Sequence, residues 1–428
     1  MSSYSLKPSK WALPLVIIAF VGLTITFLNP VFNVTSRWII LVFVVLSLVG
    51  SRGSFRALNN SVGFTALAMV LWSGTTALWS EVPELSLLKA IAFLIISSTG
   101  IALGMAWSRS HSLDRTLDFL LPLTIAALAA AVLGRVSANS VVYSGEGTFY
   151  QGGVGGSNMF GSLLAMCMPL AVWKVFRERT WQGRAIWGSI LVIFILFLLA
   201  SHARSAMLAT LFTLVAFAIG YRNHQKLIIL LGGILLSLAI YLLTPNEVNR
   251  AVQSIAYKQN YSESIFFSRA DVWSDSYDRA VKGGIAGDGY GVTIGESYFQ
   301  GALTTIGYGR EQGNAQMAIV EQTGIIGLII YLVFLTSLYA TIIRGIATAK
   351  YRWHRQQLWL VGGALSGMLC MSLFEAWWVA PSSPESVYFW TMTGIAIGLS
   401  RNRYSSVQVH CPSSSDAHPA KVLPTSAS

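Results

Sequence analysis

The sequence predicts an all-α fold, a polytopic transmembrane bundle of about twelve spans with a large extracytoplasmic loop that contains short helices. Of its 428 residues, 54% are apolar or aromatic and only 11% are charged, with a mean hydropathy of +0.58. An average soluble domain is about 25% charged. Because so few charges cannot cover a water-soluble surface, the composition excludes a soluble enzyme, a disordered chain and a coiled coil.

Recurring apolar runs define the individual spans. Crossing about 30 Å of hydrocarbon takes about 20 helical residues, and several runs are somewhat shorter, so eleven or thirteen spans are also compatible with the sequence. The twelve predicted spans cover residues 11–28, 37–51, 62–79, 86–107, 117–135, 158–176, 185–201, 206–220, 227–244, 317–342, 358–375 and 387–400.

The basic residues predict the orientation of the bundle. Of the 29 Lys and Arg residues, 19 fall in the gaps on the side of the N-terminus, with only four of the 18 Asp and Glu residues. Because cytoplasmic loops carry the excess of Lys and Arg, we expect both termini in the cytoplasm. The net charge of +11 is then a topology signal and an attraction to the anionic lipid of the bilayer. Nucleic-acid binding is not expected.

The gaps between spans divide the chain into four parts. Residues 1–244 hold the first nine transmembrane helices and a Gly- and Ser-rich outer loop at 136–157. Residues 245–316 form the large extracytoplasmic loop, residues 317–400 the last three spans, and residues 401–428 a disordered cytoplasmic tail. The large loop can hold a small subdomain.

Within the large loop, the spacing predicts an amphipathic helix over residues 269–282, ended by two glycines. Its apolar stripe is expected to face lipid or protein, and consists of Ala270, Trp273, Tyr277 and Val281. The run Gly287-Asp-Gly-Tyr-Gly291 that follows lacks the third spaced glycine of a dinucleotide fingerprint, so it predicts a flexible or tightly turned loop.

Two arginines are candidates for binding an anion. Arg204 lies between two apolar runs, and Arg269 lies in the first turn of the predicted loop helix. A guanidinium group suits bidentate binding of a phosphate or diphosphate. The alternatives are a snorkelling side chain for Arg204 and a solvated charge paired with a nearby Asp for Arg269.

His202 and Glu321 are the candidate acid–base groups. Of the six histidines, only His202 is predicted to face outward, so a histidine general acid or base on that side can only be His202. Glu321 lies inside a predicted span, where an acid is a functional candidate by default. Both also have a structural interpretation as hydrogen-bonding groups, as does Glu375 beside Trp377 and Trp378, in a predicted interfacial aromatic belt. No His/Cys cluster has metal spacing, so no metal and no cofactor are expected.

Five segments resemble the O-antigen ligase/polymerase superfamily of bacterial inner-membrane proteins, which includes exopolysaccharide polymerase-like members. Each segment is short, and together they run from about Leu71 to Glu385. They are Leu71–Ser80 with Pro83 and Leu88, Phe149–Asn158 with Gly161, Ser201-His-Ala-Arg-Ser205, Arg269-x-x-x-Trp273 with Gly287–Gly291, and Asn314–Glu321 with Gly324–Gly327.

The resemblance implies a glycosyltransferase that transfers or polymerises a polyprenyl-diphosphate-linked glycan at the outer face of the inner membrane, in exopolysaccharide or O-antigen biosynthesis. It implies that Arg204 and Arg269 hold the diphosphate and that Glu321, His202 or Asn314 orients or deprotonates the acceptor hydroxyl. Tyr290 or Trp273 would pack on a sugar ring, and Arg310 and Asn158 are further substrate-binding candidates. Other polysaccharide assembly proteins are possible partners.

One position departs from the family. Gly313 stands where the family usually has a histidine that is associated with activity in the ligases. This departure favours a polymerase-like or diverged member. Two alternatives remain open at this point, a membrane transporter of a small solute and a non-catalytic subunit of a polysaccharide export complex.

Overall fold

A computed structural model describes residues 11–26, 28, 30–49, 58–134, 141–144, 147–221, 267–292 and 313–401. The described ranges contain twelve α-helices. They are α1 (Ala12–Val21), α2 (Val34–Val49), α3 (Ser61–Thr75), α4 (Pro83–Ser110), α5 (Leu121–Leu133), α6 (Ser157–Arg177), α7 (Trp181–Ser201), α8 (Arg204–Tyr221), α9 (Phe267–Gly283), α10 (Ala315–Thr348), α11 (Arg352–Ser372) and α12 (Pro384–Arg401).

Short elements complete the described part of the chain. Strands β1 (Val141–Ser144) and β2 (Gly147–Tyr150) pair antiparallel, with Val141 opposite Tyr150 and Ser144 opposite Gly147. Single turns of 3₁₀ helix cover Gly22–Thr24, Thr76–Leu78, Leu113–Arg115, Asp118–Leu120 and Trp377–Val379.

The helical character of the fold is confirmed. Every predicted span except 227–244, which lies outside the described residues, overlaps a helix, although the bounds differ. Within the described ranges, seven helical segments are long and apolar enough to cross a membrane. They are Ser61–Leu78, Pro83–Ser110, Leu113–Leu133, Ser157–Arg177, Trp181–Ser201, Arg204–Tyr221 and Ala315–Thr348.

Small residues let the central helices approach closely. Helix α12 is buried along almost its whole length and packs on α4, where a Cβ at Gly104 would lie 2.3 Å from the carbonyl oxygen of Thr391. Helices α8 and α11 meet in the same way, because a Cβ at Gly367 would lie 2.4 Å from the carbonyl oxygen of Ala209. Close backbone approach through small residues is the usual packing of helices in membranes.

Consecutive long helices reverse direction and give the bundle two ends. At the basic end, Arg177 bonds Asp114 (Nε–Oδ1 2.6 Å) and lies 4.1 Å from the ring of Trp353, and Arg352 donates to the carbonyl of Tyr221 at 2.6 Å. The opposite end, here named the loop end, carries residues 76–82, 147–156, 202–203, 284–292, 313–314 and 373–383.

Three features differ from the sequence-based expectations. The 136–157 loop contains the β1–β2 hairpin, which has no apolar alternation long enough to predict it. Trp377 and Trp378, expected in an interfacial belt, are buried against Phe389 instead, with ring centroids 5.6 and 4.8 Å away. The third difference is an interruption inside α10.

Candidate functional site

Helix α10 is interrupted at Gly324, whose backbone (φ 70°, ψ −176°) is not helical. This conformation is essentially restricted to glycine. The interruption breaks the regular pairing between N–H groups and the carbonyls four residues earlier. A backbone group left unpaired in an apolar environment costs several kcal/mol, so the freed groups of residues 321–326 need other partners.

The segment that follows α9 provides most of these partners. The N–H groups of Asp288 and Gly289 donate to the carbonyls of Glu321 (2.9 Å) and Gln322 (3.1 Å). In the opposite direction, the N–H groups of Ile325 and Ile326 donate to the carbonyls of Gly284 (3.0 Å) and Ile285 (3.3 Å). Residues 284–289 therefore replace the helical hydrogen bonds that α10 loses.

Two tryptophans at the end of α3 complete this arrangement. The indole N–H of Trp72 donates to the carbonyl of Thr323 at 2.8 Å, and that of Trp79 donates to the carbonyl of Gly287 at 2.9 Å. The hydroxyl of Thr76 accepts the N–H of Tyr290 at 2.9 Å. Three of the segments that carry the family resemblance thus meet through direct hydrogen bonds.

The Gly287–Gly291 run is a tight, buried turn. All three of its glycines have positive φ, between 78° and 120°. A Cβ at Gly287 would lie 2.4 Å from the main chain of Gln322, and one at Gly291 would lie 2.1 Å from the side chain of Lys89. The glycines are required both by backbone conformation and by contact with α10 and α4, as expected for a tightly turned loop.

Polar side chains close the turn. The Lys89 ammonium donates to the carbonyl of Gly291 at 2.9 Å, and the Gln322 side-chain oxygen accepts the N–H of Gly291 at 2.8 Å.

Burial raises the pKa of the Asp288 carboxyl above its ordinary value of 3.8, and the negative charge of Glu81 raises it further. The turn thus places an acid with increased proton affinity at the loop end.

Tyr290 packs inward from this turn. Its ring is buried and lies 5.7 Å from that of Phe93, in a stacked arrangement, and burial raises the pKa of its hydroxyl. It lines a small cavity of about 10 Å³ with Trp72, Thr323 and Trp378. Such a space holds about one water molecule, so it is too small for a sugar ring. The predicted contact of Tyr290 with a sugar would require this turn to open.

The first part of α10 carries Asn314 and Glu321. Asn314 caps the helix, since its side-chain oxygen accepts the N–H groups of Gln316 (2.9 Å) and Met317 (3.0 Å). Its amide nitrogen donates to the carbonyl of Leu373 at 3.1 Å, which joins α10 to the end of α11. Glu321 is fully buried, immediately before the interruption. The structure thus gives Asn314 a capping role and leaves the predicted roles in acceptor binding as predictions.

Position 313 has no room for a side chain. The indole N–H of Trp273 donates to the carbonyl of Gly313 at 2.9 Å, and a Cβ there would lie 2.6 Å from Val272. The ring of Trp273 also packs at 5.7 Å from that of Phe374. A larger residue at this position would have to move the side chains of Val272 and Trp273, so the glycine allows the close packing of α9 on the start of α10.

A second group of candidates lies at the turn between α7 and α8. His202 adopts a left-handed conformation (φ 52°), and its ring lies 4.9 Å from that of Phe149 in β2. Gly161 of α6 packs on this turn, where a Cβ would lie 2.3 Å from that of Ala203. Arg204 is the first residue of α8 and is half-buried. This group joins two further segments of the resemblance.

Asn158 is half-buried in the first turn of α6, one turn before Gly161. It therefore lies on the same helix that packs against the His202 turn.

Helix α11 relates the two groups to each other. It runs antiparallel to α8, with Gly363 beside Ala216 and Gly367 beside Ala209. Arg204 lies five residues before Ala209 in α8, and α11 ends five residues after Gly367. Because each residue of a helix rises about 1.5 Å, these two distances along the antiparallel helices are equal. Arg204 is therefore at about the level of the end of α11, which is followed by Leu373, the residue whose carbonyl accepts the amide of Asn314.

The remaining two candidates are described only partly or not at all. Arg269 lies in the first turn of α9, and its side chain is outside the described part of the structure. Arg310 lies outside the described residues. Trp72 and Gly324 lie in resembling segments, but their hydrogen-bonding and conformational roles, like that of Gln322, have no signal in the sequence beyond the glycine within an apolar run.

Comparison of the chain with known protein families finds no matching family, and comparison with curated proteins finds no similar protein. The described residues contain no group of three or more His, Cys, Asp or Glu side chains suited to a metal ion. The resembling segments and their arrangement in the structure are therefore the basis of the functional proposal.

Proposed function

We propose that the chain is a membrane glycosyltransferase of the O-antigen ligase/polymerase type. It transfers or polymerises a polyprenyl-diphosphate-linked glycan at the outer face of the bacterial inner membrane, in exopolysaccharide or O-antigen biosynthesis. In this proposal the bundle has about twelve spans, both termini are cytoplasmic, and residues 245–316 form a large loop at the outer face. The loop end of the bundle then faces outward.

The observation that carries the proposal is the convergence of the resembling segments. Segments far apart in sequence meet at the loop end in two groups, one around the interruption at Gly324 and one around His202. Helix α11 places these groups at the same level.

The reaction fits the residue types at this end. The acceptor hydroxyl oxygen forms a bond to the anomeric carbon, the bond from that carbon to the lipid diphosphate breaks, and the diphosphate leaves with the electron pair. Arg204 and Arg269 would stabilise the negative charge that develops on the diphosphate. Glu321 or His202 would take the proton of the acceptor hydroxyl.

The interrupted helix also bears on the transporter alternative, because carriers often bind their substrates at broken helices near the membrane midplane. The second part of α10, residues 325–348, contains 24 residues, which is about 36 Å of helix. That part alone can cross about 30 Å of hydrocarbon. The interruption then lies near one membrane surface, which favours a surface reaction over a carrier.

Arg269→Ala provides the decisive variant. Deleting the gene should cause lipid-linked repeat units to accumulate and the polymer or ligated product to disappear. Reintroducing Arg269→Ala should leave product at least about 100-fold below the level given by the unaltered protein, since removing a group that stabilises transition-state charge costs about 10²–10³ in rate.

Arg279→Ala is the matched control. It removes the same charge from the same helix, but Arg279 pairs with Asp275 on the surface (Nε–Oδ1 3.2 Å). Product should be close to normal with this variant. Normal product with Arg269→Ala would contradict the proposed role of Arg269. If deletion of the gene caused no accumulation of lipid-linked units, the proposed glycosyltransferase activity would be contradicted, and a carrier or a non-catalytic subunit would be favoured.

A further inference from the structure

We propose that three exposed apolar side chains, two on one face of α9 and one in the turn that follows it, are inserted in the hydrocarbon of the bilayer leaflet at the loop end, which makes α9 an interfacial helix. The three residues, here named the α9 ridge, are Tyr277, Val281 and Ile285, with exposed fractions of 60%, 62% and 71%. The proposal depends on the protein residing in a membrane and is independent of the glycosyltransferase assignment.

The first argument is the order of residues around α9. One sector is buried against α10, including Ser276, Ala280 and Gly283. At 100° per residue, the adjacent sector holds Tyr277 and Val281, and Ile285 follows in the turn after the helix. The next sector holds exposed charges at Asp275, Asp278 and Lys282. Around its axis the helix therefore presents a protein-packed face, an apolar exposed face and a charged face, in that order.

This order differs from the apolar stripe expected from the sequence. The stripe joined Trp273 to Tyr277 and Val281 as one face. In the structure Trp273 belongs to the packed side, where it bonds Gly313, and only the later two residues are exposed. The exposed apolar surface is thus shifted toward the end of the helix and continues into Ile285.

The second argument is continuity with a helix able to cross the membrane. Ile285 is adjacent to α10, because its carbonyl accepts the N–H of Ile326 at 3.3 Å. The exposed residues Ile325 and Ile329 continue the same surface along α10, which is one of the helices long and apolar enough to span a bilayer. The α9 ridge is therefore the end of a surface that must face acyl chains if α10 crosses the bilayer.

The third argument is the polarity at the border of the ridge. Tyrosine is enriched where membrane meets water, and Tyr277 has this position at the start of the ridge. Lys282 neighbours Val281 on the charged side and can extend its ammonium to the headgroups while its stem lies in an apolar layer. These features fit a helix that lies in the plane of the interface.

Accessibility of spin labels to oxygen and to a water-soluble nickel chelate tests this placement. The full chain would be reconstituted in phosphatidylethanolamine–phosphatidylglycerol vesicles, after its three cysteines are replaced, with single labels at Val281→Cys and Ile285→Cys. Asp278→Cys on the same helix provides the aqueous control, and Ile329→Cys on α10 provides the lipid control. All four positions are exposed, so labelling does not disturb the packed interior.

Insertion predicts that both ridge labels have an oxygen-to-nickel collision ratio several-fold above that of the Asp278 label, approaching that of the Ile329 label. A ratio like that of the Asp278 label would mean that the ridge faces water. Low collision rates with both reagents would mean that another part of the chain or a protein partner covers it. Either of these outcomes overturns the proposal without affecting the test of glycosyl transfer.

Discussion

Two of the places where helices reverse or are interrupted at the loop end, the α7–α8 turn and the α10 interruption, satisfy their freed backbone groups in opposite ways. At the α7–α8 turn the hydrogen bonds are local. His202 N–H donates to the carbonyl of Leu199 at 3.2 Å, and the hydroxyl of Ser201 donates to the carbonyl of Leu198 at 2.7 Å. The turn needs no distant segment to close its main chain.

At the α10 interruption the partners are distant in sequence. The groups around Gly324 bond residues 284–289, some 40 positions earlier, and Trp72, some 250 positions earlier. A local turn can form before the rest of the fold, whereas the α10 interruption is stable only when three segments are assembled. The comparison predicts that substitutions at the α10 interruption reduce the stability of the protein more than substitutions at the α7–α8 turn.

The largest effect is expected for Gly324→Ala. A Cβ would lie 2.1 Å from the carbonyl oxygen of Ile285, and the backbone conformation is strained for any residue with a side chain. We expect the free energy of unfolding to fall by about 3 kcal/mol or more, measured by titration with sodium dodecyl sulphate in mixed micelles. Gly188→Ala in α7 is the control, because no atom lies within 4 Å of its Cβ position. Equal stability of the two variants would show that the interruption carries no strain.

An intermediate effect is expected for Trp72→Phe. The substitution removes the donor to the Thr323 carbonyl while it keeps most of the ring. Loss of one partner of a buried hydrogen bond costs about 1–3 kcal/mol, and amide hydrogen exchange in residues 321–326 should become faster. Trp181→Phe, at a position that is 80% exposed, should leave both measurements unchanged. Unchanged exchange in the Trp72 variant would show that Thr323 does not depend on α3.

The smallest effect on stability is expected for His202→Asn. Asparagine tolerates the left-handed conformation, so the turn should be retained within about 1 kcal/mol. His202→Val, which is β-branched, should destabilise the turn by about 1–2 kcal/mol. If His202 acts in proton transfer, His202→Asn should lose product while it remains as stable as the parent. Full product formation would leave His202 with a structural role in the turn.

Particular elements show which features of the fold can be predicted from the sequence. The amphipathic pattern predicts a helix over 269–282, and α9 covers Phe267–Gly283. The glycine run predicts a tight turn, and its three glycines have positive φ. Periodicity and glycine spacing are local properties, so they can be read from the sequence directly. The direction in which α9 presents its apolar residues depends on α10: Trp273 packs on protein, whereas Tyr277 and Val281 are exposed.

The candidate residues show the same limit. The sequence identifies His202, Arg204, Glu321 and Asn314 as polar residues in unusual surroundings. It does not indicate that Asn314 uses its side chain to cap α10 and bind Leu373, or that Gly313 lies under Trp273. The cap is local, but the contacts with Leu373 and Trp273 join residues 59 and 40 positions apart. Their formation depends on packing that no local pattern encodes.

The sequence by itself determined that the chain is helical and where its long apolar helices lie, because the length and polarity of an apolar run decide whether it can form a membrane-spanning helix. Only the tertiary structure decided that α10 is interrupted at Gly324 and that the glycine turn at 287–291 and Trp72 complete it. The physical reason is that backbone groups freed inside a helix must find partners, and those partners are supplied by whichever segments the fold brings alongside.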